Sequence, residues 1–259
     1  MTQFFQLQPL NQISVSRDDT LSIKRNDLSP LVNNQQQLNR YADHLIQAQS
    51  VLLNGVDPAL TQQLSSTIES LISALADSKK YLKTRKFHAV QKWLGIDLEY
   101  TSGQIQYYKN LDVLLDRANH LSQKLQIEIQ KSQSRLQQLT GLREQMAKYI
   151  MAAEEFLEEY PSFTKQHPLD NFSERLSQKI YSLRTLQANN DIAIAQMQLS
   201  QQLSFSLLDR FKEAQQVLIP AWKYHVKHNT ASSSTTDLEK LNNSRENLIK
   251  TLKKSLEKS

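Results

Sequence analysis

The chain has 259 residues, with four glycines, six prolines, no cysteine, 22% charged side chains and a formal net charge of +5. Without cysteine there are no disulfides, thiolate metal centres or thiol chemistry. So few glycines and prolines leave too little turn material for a multi-stranded sheet, which predicts an all-α protein. No stretch approaches the roughly 20 apolar residues that span a bilayer, the opening residues do not read as a secretory leader, and the charge excess is too small to require a nucleic acid.

Taken in chain order, residues 1–30 mix Gln, Ser, Asn and Asp with isolated apolar side chains up to Pro30. No helical period is sustained there, so a mostly disordered arm is expected. Residues 31–259 read as a single elongated helical domain. Within it, 31–78 suggest a short helical hairpin. Leu38, Tyr41, Ala42, Leu45, Ala48 and Leu52 share one helical face, Asn54 and Gly55 stop it, and Asp57 caps a second helix with Pro58 at its first position. Residues 79–97 form a basic amphipathic connector that Gly95 closes.

Residues 98–228 predict a long antiparallel, coiled-coil-like helical hairpin. Its first arm carries the ladder Leu111, Leu115, Ala118, Leu121, Leu125, Ile129, Ser132, Leu136, Leu139, Leu142, Met146, Ile150, Ala153, Leu157 and Tyr160, whose steps average 3.5 residues. A helix over 98–160 is on the order of 90 Å long. Gly141 lies within this ladder and costs about 1 kcal/mol relative to alanine. Pro161 and Pro168 bracket a turn, and Asn171 caps a return helix bearing Phe172, Leu176, Ile180, Leu183, Ile194, Met197, Leu207, Phe211, Ala214 and Leu218. Pro220 lacks an N–H and disfavours helix at Ile219, so the return helix is expected to end or bend there, with Trp222 locking the C-terminal segment. After a Thr/Ser-rich link at 229–236, a last helix covers 237–258 and opens at Asp237.

Several features bear on chemistry. His225 and His228 have the spacing of a metal-binding pair but lack further ligands, and suit a helix C-terminus as solvated cations. Glu154, Glu155, Glu158 and Glu159 crowd a helix end where the dipole and one another oppose them. They suggest a basic partner, for which the basic connector, Lys165 and Arg175 are the intrachain candidates, or they stand as a simple solvated charge cluster. Lys79, Lys80, Lys83, Arg85, Lys86 and Lys92, with Trp93, fit contact with an anionic lipid surface or an acidic partner; equally, Phe87 and Trp93 would pack inward and leave the lysines to water. There is no phosphate loop and no catalytic triad. Exposed glutamine amides are weak anion ligands, so neither a cofactor nor a small-molecule substrate is expected.

Four short motifs occur in a fixed order. They are Tyr149-Ile150-Met151-Ala152, a helix with Gln196 and Gln201, Ile219-Pro220-Ala221-Trp222-Lys223, and Asn247-Leu248-Ile249. In this order and spacing the chain resembles the TelA-type toxic-anion (tellurite) resistance proteins of bacteria, over a stretch from about Lys79 onward. Two departures stand out: Gln187 and Gln198 occupy places where arginines are usual, and the sequence stops soon after Leu256. The resemblance implies a non-enzymatic, cytoplasmic accessory of tellurite resistance or envelope stress, working through protein partners or peripheral contact with the anionic inner membrane. The alternatives are a general coiled-coil scaffold with no direct role in anion resistance, and an enzyme whose site forms only in an assembly.

Overall fold

The computed structural model describes residues 7–82, 96–163, 171–229 and 235–257. Among them every regular element is helical, so the protein is all-α. The α-helices are α1 (Arg17–Ile23), α2 (Ser29–Asn33), α3 (Asp43–Leu52), α4 (Pro58–Leu82), α5 (Ile96–Phe163), α6 (Phe172–Glu213), α7 (Ile219–Asn229) and α8 (Thr235–Leu256). Short 3-10 turns lie at Leu10–Gln12 and Gln35–Arg40, and π turns at Lys24–Leu28 and Ala214–Leu218. The turn expected at 161–168 lies largely outside the described residues, but α5 passes Pro161 and reaches Phe163. The last helix opens at Thr235, ahead of Asp237.

The chain divides into two compact units, in place of the single domain expected. One holds Met1–Gly55 and Lys131–Leu199, the other Val56–Gln130 and Ser200–Ser259, so each takes its own share of α5 and α6. The apolar ladder runs along α5 without a break, and its period gives no sign of where the packing partners change. That ladder is the inward face. Leu136, Leu142 and Leu157 are partly buried, and the other ladder residues are buried.

In the first unit α5 and α6 run antiparallel. Tyr160 stacks on Phe172 with ring centroids 4.9 Å apart, Arg184 donates to Glu154 at 2.8 Å, and Arg143 donates to Asp191 at 2.8 Å. A third layer comes from the segment expected to be a disordered arm, together with α3. Ile23, Leu28, Leu31, Leu38, Tyr41 and Leu45 pack with Met146, Ile150, Phe156, Phe172, Leu176 and Leu183. Each such side chain, fully buried, contributes about 1.5–3 kcal/mol, which is ample to order the segment. Its start is capped conventionally: the Ser16 hydroxyl accepts the N–H of Asp19 at 3.1 Å, and Asp18 and Asp19 sit in the first turn of α1, where the helix dipole favours them.

The second unit brings segments of five helices around one core. Leu64, Ile68, Leu71 and Leu75 of α4 meet Leu111, Leu115, Ala118 and Leu125 of α5, Leu207 and Phe211 of α6, Trp222 of α7, and Leu248 and Leu252 of α8. Lys212 bonds Gln126 at 2.8 Å and Lys223 bonds Asp112 at 2.7 Å, so the α5 pairing is again antiparallel. Asp57 opens α4 as expected, its carboxylate accepting the Ala59 N–H at 2.9 Å. The two helices expected to form one short hairpin, α3 and α4, belong to different units with separate cores.

Both π turns precede a proline. In each, the residue before the proline donates its N–H five residues back, Ser29 to Lys24 and Ile219 to Ala214, with right-handed helical backbone. A proline inside a helix lacks a donor and its ring crowds the carbonyl four residues behind it. The π turn inserts an extra residue just there, and helix resumes through Pro30 and Pro220. The return helix therefore does not end at Pro220. The same insertion helps explain why residues 1–30 carry no readable period: the buried apolar residues step by five from Ile23 to Leu28, as they do from Ala214 to Ile219.

Candidate functional site

The polar centre of the first unit joins α3, α5 and α6. On α6, Asn190 and Asp191 both lie about one helical turn beyond Gln187 and so flank its face of the helix. Asn190 donates to the Gln49 side-chain oxygen at 2.7 Å, the Gln49 amide donates to Gln187 at 2.9 Å, and the Gln187 amide donates to Asp191 Oδ1 at 2.7 Å. Arg143 closes the chain with a two-pronged pair, Nε to Oδ1 at 2.8 Å and Nη2 to Oδ2 at 2.9 Å, and Nη2 also donates to the carbonyl of Gln8. Gln49 and Gln187 are completely buried. A carboxylate only accepts and a guanidinium only donates, so Asp191 sets the direction of every amide in the row. The network is a closed polar clamp that fixes the register of three elements.

Sequence patterning passes over Arg143, Gln49, Asn190 and Asp191. A signal for the first is present. The ladder runs through Leu139, Leu142 and Met146, yet Leu139, Arg143 and Met146 fit the same spacing. The structure buries Arg143 and leaves Leu142 only partly covered. Gln187, standing where the resemblance expects an arginine, is an internal member of this clamp.

The motif residues fall into both units. Ile150 and Ala152 are core. Tyr149 is half-buried: its carbonyl accepts the Tyr41 hydroxyl at 2.7 Å, and its ring meets those of Tyr41 and His44 at 5.4 and 5.3 Å. Gln196 is exposed and Gln201 half-buried. In the second unit Ile219 and Trp222 are buried, Pro220 is exposed, and Lys223 holds Asp112 at the surface.

The chain is similar to a curated bacterial protein. It is 29% identical to Protein KlaA of Escherichia coli over 191 residues, which cover 71% of this chain and 72% of that protein. No family model matches the chain, and no solved structure matches it. The similarity to KlaA extends over more of the chain than the short motifs alone.

Three of the four glutamates meet basic partners other than those expected. Lys24 reaches Glu155 and Glu159, both at 2.9 Å, and Arg184 takes Glu154. Lys24 lies in the segment expected to be a disordered arm, which hides it as a candidate. Burial alone would lower its pKa, but the hydrogen bonds it donates to the two carboxylates carry it above its ordinary value. Lys79 and Lys80 lie on α4 with side chains outside the described residues, as do those of His225 and His228, while Lys83, Arg85, Lys86, Lys92 and Trp93 lie outside them altogether. Among the described residues, no cluster of three or more acidic or histidine side chains could hold a metal, and no helix is long and apolar enough to cross a membrane.

Buried phenols give the protein an alkaline limit. Burial pushes Tyr41 and Tyr107 well above the usual tyrosine range, and burial with the Asp27 charge raises Tyr149. Below about pH 10 the phenols are neutral in both folded and unfolded chains, and their contribution is fully present. As pH rises further, only the unfolded chain releases these protons, so stability falls, by up to about 1.4 kcal/mol per pH unit for each fully retained phenol. Lys24 acts in the same direction. Urea unfolding between pH 8 and pH 11 is expected to show this fall, flattened in Tyr41→Phe and Tyr107→Phe; an unchanged slope in both variants would remove the phenols as its cause.

Proposed function

We propose that the chain is a non-enzymatic accessory of bacterial toxic-anion (tellurite) resistance or of the envelope-stress response, acting in the cytoplasm through contacts with proteins or with the membrane surface. The observation that carries this reading is the ordered set of motifs at Tyr149-Ile150, Gln196 and Gln201, Ile219-Pro220 with Trp222, and Asn247-Leu248. Similarity to KlaA along most of both chains supports it. A role through contacts is favoured by the outer face of α6 in the first unit. Tyr181, Ile192 and Leu199, spaced eleven and seven residues apart and hence on one side of the helix, are exposed there. The basic sequence carrying Lys79, Lys80, Lys83, Arg85 and Lys86 has the charge that contact with anionic lipid calls for.

The test is growth under challenge. A strain lacking the gene is expected to become sensitive to tellurite or to envelope-damaging agents, and to recover when the wild-type chain is supplied. Failure of the variant with those five basic residues changed to glutamine to restore growth would assign part of the role to the basic stretch. Growth of the deleted strain equal to its parent under every such stress would overturn the reading.

A further inference from the structure

We propose that Arg245 is the cation of a binding site for a small inorganic oxyanion in the second unit. Arg245 lies on α8 with 3% of its surface exposed. Its neighbours in register are Leu248 and Leu252, both completely buried in the core that α4, α5 and Trp222 share. The steps from Arg245 to Leu248 and Leu252 are those of a ladder, so the guanidinium stands where the pattern would place another apolar side chain.

Among the described residues this cation has almost no partners. Its Nε and Nη1 are buried and meet no acceptor. Its remaining nitrogen, Nη2, sits 3.4 Å from Glu246 of the same helix, a carboxylate whose side chain is 66% exposed. So long and wet a contact neutralises little. The Arg245 charge also reaches Tyr107 on α5, but that phenol is neutral, it donates its proton to the carbonyl of Ala74 at 2.8 Å, and Arg245 Nε and Nη1 make no hydrogen bond to its oxygen. Asp77 of α4 acts on the same phenol, yet among the described residues it is Glu246 that pairs with Arg245. A guanidinium cannot shed its proton to escape burial, as a lysine or histidine would. Left alone in a core, it carries a desolvation cost that only an acceptor can offset.

The contrast with Arg143 is internal to the protein. Both arginines occupy ladder positions and both are buried, at 4% and 3%. Arg143 is met by both oxygens of Asp191 and by a carbonyl, whereas Arg245 is met by nothing comparable among the described residues. What the fold supplies in one unit is left to be supplied from outside in the other. Unsatisfied donors around a fixed positive charge select an anion with several oxygens. A guanidinium so buried selects a small, compact anion over the side chain of a docked partner. Next to Arg245 along α8, a groove of about 400 Å³ is lined by Glu246, Ile249, Lys250, Lys253, Lys254 and Glu257. Arg245 does not line it, but three lysines against two glutamates make this neighbouring face of α8 net positive and favour the approach of anions. Only its ladder position hints that Arg245 is buried, since its neighbours Ser244 and Glu246 are polar, and the expectation that no small molecule binds rests on weak glutamine ligands and the absence of thiols.

The experiment compares wild type with Arg245→Leu in sodium sulfate and in sodium chloride at equal ionic strength. Sulfate raises the melting temperature of most proteins, so the readout is the difference between the two chains. At saturating sulfate the rise in melting temperature is expected to be larger in wild type than in Arg245→Leu by about 4 °C or more, and calorimetric titration is expected to find one sulfate site that Arg245→Leu lacks. In chloride Arg245→Leu is expected to melt at or above the wild-type temperature, because it loses an unpaired buried charge. Equal sulfate gains in the two chains, with no titratable site in wild type, would overturn the proposal. So would an Arg245→Leu protein that melts well below wild type in chloride while neither responds to sulfate, since the guanidinium would then be paired within the chain.

Discussion

Truncating Trp222 to alanine is expected to lower the stability of the second unit by about 3 to 5 kcal/mol. The indole is 1% exposed and belongs to the core that Leu71, Leu75, Phe211, Leu248 and Leu252 share, so its removal empties the largest side-chain volume in that core. A loss of this size is a large part of the whole stability of an ordinary domain. The indole Nε1 finds no acceptor among the described residues, so the side chain serves by its apolar surface and not by its polar handle. Trp222→Phe should therefore lose much less, keeping most of the contact area and removing an unsatisfied donor. Urea unfolding followed by far-UV circular dichroism measures both. A Trp222→Ala midpoint equal to that of wild type would mean that the indole does not hold this core.

How Trp222 reaches the core is only half legible in the sequence. Its burial follows from aromatic bulk at helical spacing. Its path does not, because Pro220 two residues earlier reads as a helix end, and the π turn that accommodates it leaves no mark other than a five-residue step between apolar positions. The same device conceals α1 and α2: with Ile23 and Leu28 five apart, a packed helical segment looks like an arm without period. Where the helix is regular, as along α5, the ladder predicts the buried face almost residue by residue. What periodicity cannot provide is the division into two units, since apolar positions on one helix look alike whichever partner they meet.

The site suffers from a related blindness. Pattern reading sorts residues into apolar and polar, and so passes over a charged residue on the inward face. Arg143 and Arg245 both occupy ladder positions, yet as charged residues both read as surface. Gln187 draws notice only through the resemblance, and nothing local in the sequence says that its amide is buried between Gln49 and Asp191, which lie far apart along the chain.

The clamp around Asp191 gives the second large expected effect, and it separates a structural pair from a merely tolerated one. Asp191→Ala removes the acceptor for Arg143 Nε, Arg143 Nη2 and the Gln187 amide together, leaving a buried guanidinium with only the Gln8 carbonyl. Breaking a buried pair from one side typically costs about 3 to 5 kcal/mol, and the 25% exposure of the Asp191 side chain places the expected loss toward the lower figure. Asp191→Asn keeps the shape and one acceptor oxygen but removes the charge, and is expected to fall between. The decisive comparison is the double variant Arg143→Met with Asp191→Leu. Because a buried pair is often no more stabilising than apolar side chains of similar volume, the double variant should recover much of what Asp191→Ala loses. A double variant as unstable as the sum of its single changes would instead show that the two residues act independently, and the clamp would not be the unit that fixes α3, α5 and α6 in register.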